Sequence, residues 1–173
     1  MPATEQTLLQ RAQQGDQSAF AQLYQQGVGR VYAIAWRLLA NRARAEEAVQ
    51  ETFLRVWQQL PGFRGESAFS SWLHRLAVGT SIDLWRKDKG LRLEDGESLP
   101  ELGYCPAEQG EQQQQLESAI QRLPAQARAV FVLYALEGYP HQEIATLLNI
   151  AEGSSKAHYH RARQLLQEYL NEH

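Results

Sequence analysis

The 173-residue chain contains one cysteine, Cys105, so no internal disulfide framework can form and the composition fits a reducing compartment. No apolar run approaches the roughly 20 residues needed to cross a bilayer, so no membrane insertion is expected. The opening residues, Met1-Pro2-Ala3-Thr4-Glu5-Gln6, lack the basic-then-apolar order of an export signal. The expected location is therefore the cytoplasm. Strand-like alternation is missing, and so is any long internal repeat. There is no glycine-rich phosphate loop, no nucleophile motif and no paired-carboxylate signal. Glu46 and Glu47 are adjacent and point to different sides of a helix, and His158 and His160 do not share a helix face. Neither a catalytic centre nor a bound metal or cofactor is expected.

The content of the chain is ordinary for a globular protein: 43% apolar and 21% charged residues. The net charge of −3 is not that of a nucleic-acid binder, but its distribution is uneven. Residues 1–87 hold ten Lys/Arg against seven Asp/Glu, a net +3. Residues 88–111 hold two against seven, a net −5. Residues 112–173 are close to neutral at −1. The mean conceals a basic N-terminal part.

Helical periodicity dominates. Thr4 is a candidate N-cap for a short helix with Leu8, Leu9 and Ala12 on one side, stopped at Gly15. Asp16 caps the next, whose stripe runs Ala19, Phe20, Leu23, Tyr24, Val28, Val31, Tyr32, Ala35, Trp36, Leu39. Gly27 and Gly29 fall inside it and are expected to loosen or kink it. Asn41 caps a third helix, ended by Pro61. Its apolar stripe is Ala45, Ala48, Val49, Thr52, Phe53, Val56 and Leu60. Glu47, Gln50, Glu51 and Gln58 lie opposite, and Leu54 sits among them. That leucine is either a tolerated exposed side chain or a contact for another protein. After a Gly/Pro-rich loop at 61–66, Ser67 is expected to cap a long helix reaching about Lys87.

Residues 88–111 show no period and are rich in glycine, proline and acid. They read as a flexible acidic linker between two domains, 1–87 and 112–173. Helices resume at Gln112. Pro124 fits the first turn of a following helix, Gly138 ends it, Pro140 starts a short one, Asn149 turns the chain, and Gly153 opens the last. The expected fold is all-α, two small helical domains, the C-terminal one with the short-helix, tight-turn, long-helix order of a helix-turn-helix. In the last helix Ser155, Tyr159, Ala162 and Leu166 share the inward side. Ser154, Ala157 and Arg161 face outward, flanked by Lys156 and His158. Small residues there allow close approach to a groove, and Lys156, Arg161 and Arg163 can meet phosphates or guanine edges. A plain three-helix bundle with a solvated basic end fits the same pattern.

Three stretches decide between these. Leu123-Pro124, Glu137-Gly138-Tyr139-Pro140-His141-Gln142-Glu143-Ile144-Ala145 and Gly153-Ser154-Ser155-Lys156-Ala157-His158-Tyr159-His160-Arg161-Ala162-Arg163 resemble region four of bacterial sigma factors of the extracytoplasmic-function (ECF) type. Ala45-Glu46-Glu47 through Gln50-Glu51-Thr52-Phe53 to Trp57 resembles region two of the same family. So do Phe63-Arg64-Gly65-Glu66-Ser67 and Trp72-Leu73-His74-Arg75-Leu76-Ala77, followed by Asp83 and Arg86. The resemblance covers most of the chain, in order.

It implies a non-catalytic promoter-specificity subunit of RNA polymerase, serving a stress or envelope type of regulon. The implied partners are core polymerase (the β′ clamp helices and the β subunit), promoter DNA and an anti-sigma factor. Glu47, Gln50, Glu51 and Leu54 would dock on the clamp helices, with acids around an apolar centre. Phe63, Arg64, Arg75, Gly79, Asp83, Arg86 and Lys87 would read and melt the −10 element, with Trp85 adding aromatic surface, while Phe69 and Trp72 read rather as core. Ser154, Lys156, Ala157, His158, Arg161 and Arg163 would meet the −35 element. The linker would thread the polymerase channels. Gly79 stands where the family usually has asparagine, Arg44 where an acid is usual, and Ala157 and His158 where serine and arginine are common. Two other classes remain: a helix-turn-helix regulator that never joins polymerase, and a helical adaptor derived from a sigma factor.

Overall fold

A computed structural model of the chain describes residues 4–95 and 110–172, with side chains described over 4–88 and 110–172. Among the described residues every regular element is helical. The order is α1 (Glu5–Gln13), α2 (Gln17–Leu39), α3 (Arg42–Gln59), a 3₁₀ turn (Leu60–Gly62), α4 (Phe69–Asp95), α5 (Glu111–Gln121), α6 (Ala125–Phe131), a π turn (Val132–Leu136), α7 (His141–Leu148) and α8 (Glu152–Asn171). Cys105 and most of the acidic segment lie outside the described residues.

Two compact units are present: Met1–Ala35 with Ala43–Ser81, and Trp36–Arg42 with Ile82–His173. The first starts from its caps. Thr4 Oγ1 accepts from the N–H of Thr7 at 3.2 Å and opens α1. Gly15 reverses the chain at φ +93°, a conformation that costs an L side chain strain. Asp16 Oδ1 then accepts from Ser18 N at 2.9 Å and Ala19 N at 3.2 Å, which starts α2. These N–H groups, Ala19's foremost, and the Arg11 guanidinium hold the Asp16 carboxyl below its ordinary value.

The apolar stripe of α3 is buried from Ala45 to Val56, as its period requires. Its one polar member, Thr52, donates to the Ala48 carbonyl at 2.6 Å, so nothing is left unsatisfied there. Around it, Phe20 packs edge-on to Trp57 at 5.0 Å and Tyr24 to Phe53 at 4.7 Å. Leu8, Leu23, Val56 and Leu60 are fully buried in the same unit.

Three sequence expectations change. α2 is not broken at Gly27 or Gly29 but runs as one continuous helix, and at Gly27 its backbone passes close to the side chains of Leu73 and Phe53. α4 begins at Phe69, with Ser71 and Trp72 donating to the Ala68 carbonyl, so Ser67 lies outside the cap position. At its other end α4 continues beyond Lys87 to Asp95, since Leu91, Arg92, Leu93 and Glu94 are good helix formers and no proline follows until Pro100.

In the second unit α8 packs against α5, α6 and α7. Ile120, Val130, Leu133, Ile144 and Leu166 form its core. Arg128 is buried and donates to the Leu123 carbonyl at 3.0 Å, while Arg37 grips Glu117 with Nη2 at 2.7 Å and Nε at 3.0 Å from Oε1. Gly138, at φ +79°, turns the chain into α7. Leu136, the last residue of the π turn, is 40% exposed.

Candidate functional site

Three surfaces hold the residues singled out by the sequence. The first is the outer face of α3. Leu54 is 50% exposed, more than any other large apolar side chain described. Glu47 and Gln50 are exposed beside it, and Glu51 is half-buried. Arg44 Nη1 reaches Glu47 Oε2 at 2.8 Å, and Arg55 Nε lies 3.5 Å from Glu51 Oε1. Each acid therefore has a helical neighbour of opposite charge. Exposed pairs of this kind are weak, about 0.3–0.5 kcal/mol, and a better-placed cation of a partner can replace them. Arg44 is thus the residue that covers Glu47.

The second surface is a cleft of about 560 Å³ lined by Gly62, Phe63, Arg64, Glu66, Ser67, Trp72 and Arg75. The loop after the 3₁₀ turn supplies one wall and the first turns of α4 the other. The rings of Phe63 and Trp72 lie 4.8 Å apart and tilted by 35°, with Phe69 edge-on to Phe63 at 6.3 Å. Among the described residues neither Arg64 nor Arg75 has an ion-pair partner. Aromatic faces beside two available guanidinium groups suit an unstacked base and its phosphates.

The structure thus brings Phe63, Arg64 and Arg75 together. Gly79, Asp83, Arg86 and Lys87 follow along α4 outside this cleft. Asp83, Arg86 and Lys87 are exposed. Phe69, at 6% exposure, belongs to the core as expected, whereas Trp85, at 3%, does so against the expectation that it adds aromatic surface. Both fall on the apolar stripe of α4, where burial outweighs any solvent-side role.

Trp72, expected in the core, is instead half-buried and lines the cleft, together with Glu66 and Ser67 of the loop. Gln13 was missed altogether. Its Nε2 donates to the Phe63 carbonyl at 2.8 Å and the Leu60 carbonyl at 3.2 Å, across a separation that no local pattern encodes.

The third surface is on α7 and α8. Asn149 takes the left-handed conformation at φ 56°, ψ 51°, and Ile150 N bonds the Ala145 carbonyl, giving the tight turn. Ser155, Ala162 and Leu166 are buried as the period implies. Ser155 Oγ pairs with His141 Nδ1 at 2.8 Å, tying the two helices of the motif together. His141 in turn stacks on Tyr134 at 4.2 Å. Ser154, Lys156, Ala157, Arg161 and Arg163 are exposed on the outer side, whereas His158 is half-buried and already engaged within the protein. Lys156 lies 3.7 Å from Glu152, a weak surface pair. Among the described residues no cluster of His, Cys, Asp and Glu is able to hold a metal ion, and no helix is long and apolar enough to cross a membrane.

Residues 23–90 match the family model of Sigma-70 region 2, and residues 113–166 that of Sigma-70, region 4. Over 181 residues the chain is 30% identical to the ECF RNA polymerase sigma factor SigW of Bacillus subtilis, a match covering 95% of each protein. The chain belongs to the ECF RNA polymerase sigma factors. It is also 34% identical to the ECF sigma factor SigE of Mycolicibacterium smegmatis, over 92% of this chain and 65% of that longer protein. Among solved structures it is similar to the sigma factor RpoE of Bartonella quintana, determined in complex with the anti-sigma factor NepR. That match has 26% identity and a TM-score of 0.60, over 88% of this chain and 96% of the other. It is similar as well to CnrH in complex with the cytosolic domain of CnrY, at 27% identity and a TM-score of 0.51 over 95% of each. The first two surfaces fall inside the region 2 match and the third inside the region 4 match, whereas α1 precedes both.

Proposed function

We propose that this chain joins core RNA polymerase through the outer face of α3 and directs it to promoters through the aromatic cleft and α8. One observation carries the polymerase reading: Leu54 stands half exposed at the centre of an acid-rimmed patch that the fold does not use. A regulator that only binds DNA has no need of such a patch. Its form, an apolar centre within a charged rim, suits docking on a basic helical surface, such as the clamp helices of the β′ subunit.

The remaining assignments follow the surfaces. Phe63, Arg64 and Arg75 hold a base and phosphates extruded from the −10 element. Gly79, Asp83, Arg86 and Lys87 continue that contact along α4. Ser154, Lys156, Ala157, His158, Arg161 and Arg163 address the −35 duplex. Residues 1–87 act as the polymerase-binding and melting part, 112–173 as the −35 reader, and 88–111 as the linker between them. The chain acts in the cytoplasm as a non-catalytic subunit. RpoE of Bartonella quintana is bound by an anti-sigma factor, and a protein of that kind is the proposed regulator here, controlling a stress or envelope type of regulon.

The test is co-purification with core polymerase followed by transcription in vitro from genomic fragments. Wild type is expected to bind core and yield discrete transcripts. Leu54→Asp is expected to remain folded and to lose core binding by 2 kcal/mol or more, as about expected for a central interface residue. Unchanged binding returns Leu54 to the ordinary surface. Binding without any promoter-specific transcript favours the adaptor, a reading supported by the missing side chain at Gly79 and the part-burial of His158.

A further inference from the structure

Helix α1 ends before residue 23, where the match to region 2 begins, yet its last residue bonds the backbone at Phe63, a residue of the cleft wall. Gln13 Nε2 donates to two backbone carbonyls, Leu60 at 3.2 Å and Phe63 at 2.8 Å. Neither carbonyl can donate in return, so the amide must present its NH₂ group, and its two hydrogens match two acceptors. We propose that Gln13 is a positioning residue for DNA reading, setting the loop that carries Phe63 and Arg64. The proposal rests on the promoter-reading role of the cleft stated above.

The Phe63 carbonyl belongs to the planar peptide that joins Phe63 to Arg64. Fixing that plane fixes the direction in which both side chains leave the backbone. Phe63 faces Trp72 at 4.8 Å, and Arg64 lines the same cleft. Directly afterwards Gly65 turns the chain at φ +75°, so without an anchor the loop has a ready pivot. The Leu60 carbonyl also accepts from Phe63 N at 3.0 Å. Gln13 thereby ties both ends of the 3₁₀ turn into one rigid step.

The anchor is itself held. Leu8 and Ala12 of α1 are buried at 0% and 3% exposure. The corner into α2 is closed by the 2.8 Å pair between Arg11 and Asp16, whose carboxylate also caps α2. Gln13 is half-buried and outside the apolar core. Its contribution is the pair of hydrogen bonds rather than packing.

The experiment uses the full chain on core polymerase and a DNA pool, duplex upstream and single-stranded downstream, with bases randomised in both parts. Gln13→Glu has the same shape but turns a carboxylate toward two carbonyls. It is expected to lower retention of the single-stranded part about tenfold, as losing one or two hydrogen bonds would, and to flatten its base preference. Preference in the duplex part and affinity for core stay at wild-type level. Gln13→Lys restores donors and recovers the preference. Gln13→Met removes the donors without adding charge and serves the same comparison if the carboxylate unfolds the chain. Unchanged preference in the donor-free variants overturns the proposal. Equal loss in duplex and single-stranded parts also overturns it and makes Gln13 a structural staple. A wild-type chain that selects no base in the single-stranded part overturns the promoter reading first, and this proposal with it.

Discussion

A Cβ on Gly27 would stand 2.7 Å from Leu73 Cδ2 and 3.6 Å from Phe53 Cζ. Helix α2 therefore meets α4 and α3 through bare backbone at this point. Gly29, two residues on, has nothing within 4 Å of an added Cβ. The two glycines should respond differently. Gly29→Ala is expected to stabilise the chain by about 1 kcal/mol through helix propensity. Gly27→Ala should fall short of that gain, and Gly27→Val should cost roughly 1–3 kcal/mol through overpacking. Urea unfolding of the three variants checks this.

Gly79 is half-buried within α4, and an added Cβ would meet nothing within 4 Å. Its side-chain space is open, so a larger residue is accepted by the fold. Gly79→Asn is expected to fold normally, with a gain of about 0.3 kcal/mol from propensity. It should add a preference at one base of the −10 element, read by selection from a randomised promoter pool. An unchanged preference removes position 79 from the reading surface.

Asp16 gives a pH prediction. Its carboxyl is held below its ordinary 3.8 by the backbone N–H of Ala19 first and by Arg11 next. A group depressed on folding contributes stability that is present above its unfolded value and is lost as pH falls through its folded value. Asp16→Asn keeps a side-chain oxygen for the cap but loses the ion pair with Arg11. Its stability deficit should be full at pH 7, unchanged down to about pH 4, and should close as wild-type Asp16 protonates below that. Because the pair is part-exposed, added salt should narrow the deficit. Thermal melts across pH provide the check.

Arg161 is exposed on the outer side of α8 and has no ion-pair partner among the described residues. Arg161→Ala is expected to weaken binding to a −35 duplex by about 1–3 kcal/mol and to relax one base position. Arg163 lies with its guanidinium 6.0 Å from the Tyr159 ring. Arg163→Ala is expected to weaken binding uniformly and to lower the salt slope by about one. Fluorescence anisotropy at several salt concentrations separates the two.

The sequence by itself determined the helices, the buried stripe of α3 with Leu54 opposite, the Asp16 cap and the turn at Asn149. It also determined which α8 residues face outward, His158 excepted. All of these are local: helical geometry repeats every few residues, so spacing alone assigns a face. The run of α4 past Lys87 was local too, but the glycine and acids there obscured a stretch of good helix formers.

Only the tertiary structure decided what converges. Phe63 and Trp72 come from different elements and lie tilted against each other at 4.8 Å, with Arg64 and Arg75 beside them. Trp85 and Phe69 are aromatic like Trp72, yet they are buried and it is not. Composition cannot tell these three apart, because burial depends on what the rest of the chain lays over each ring. Gln13 bonds carbonyls 47 and 50 residues away, and Gly27 is required by a leucine on another helix. Such contacts are set by how helices pack, and packing joins positions whose spacing carries no period.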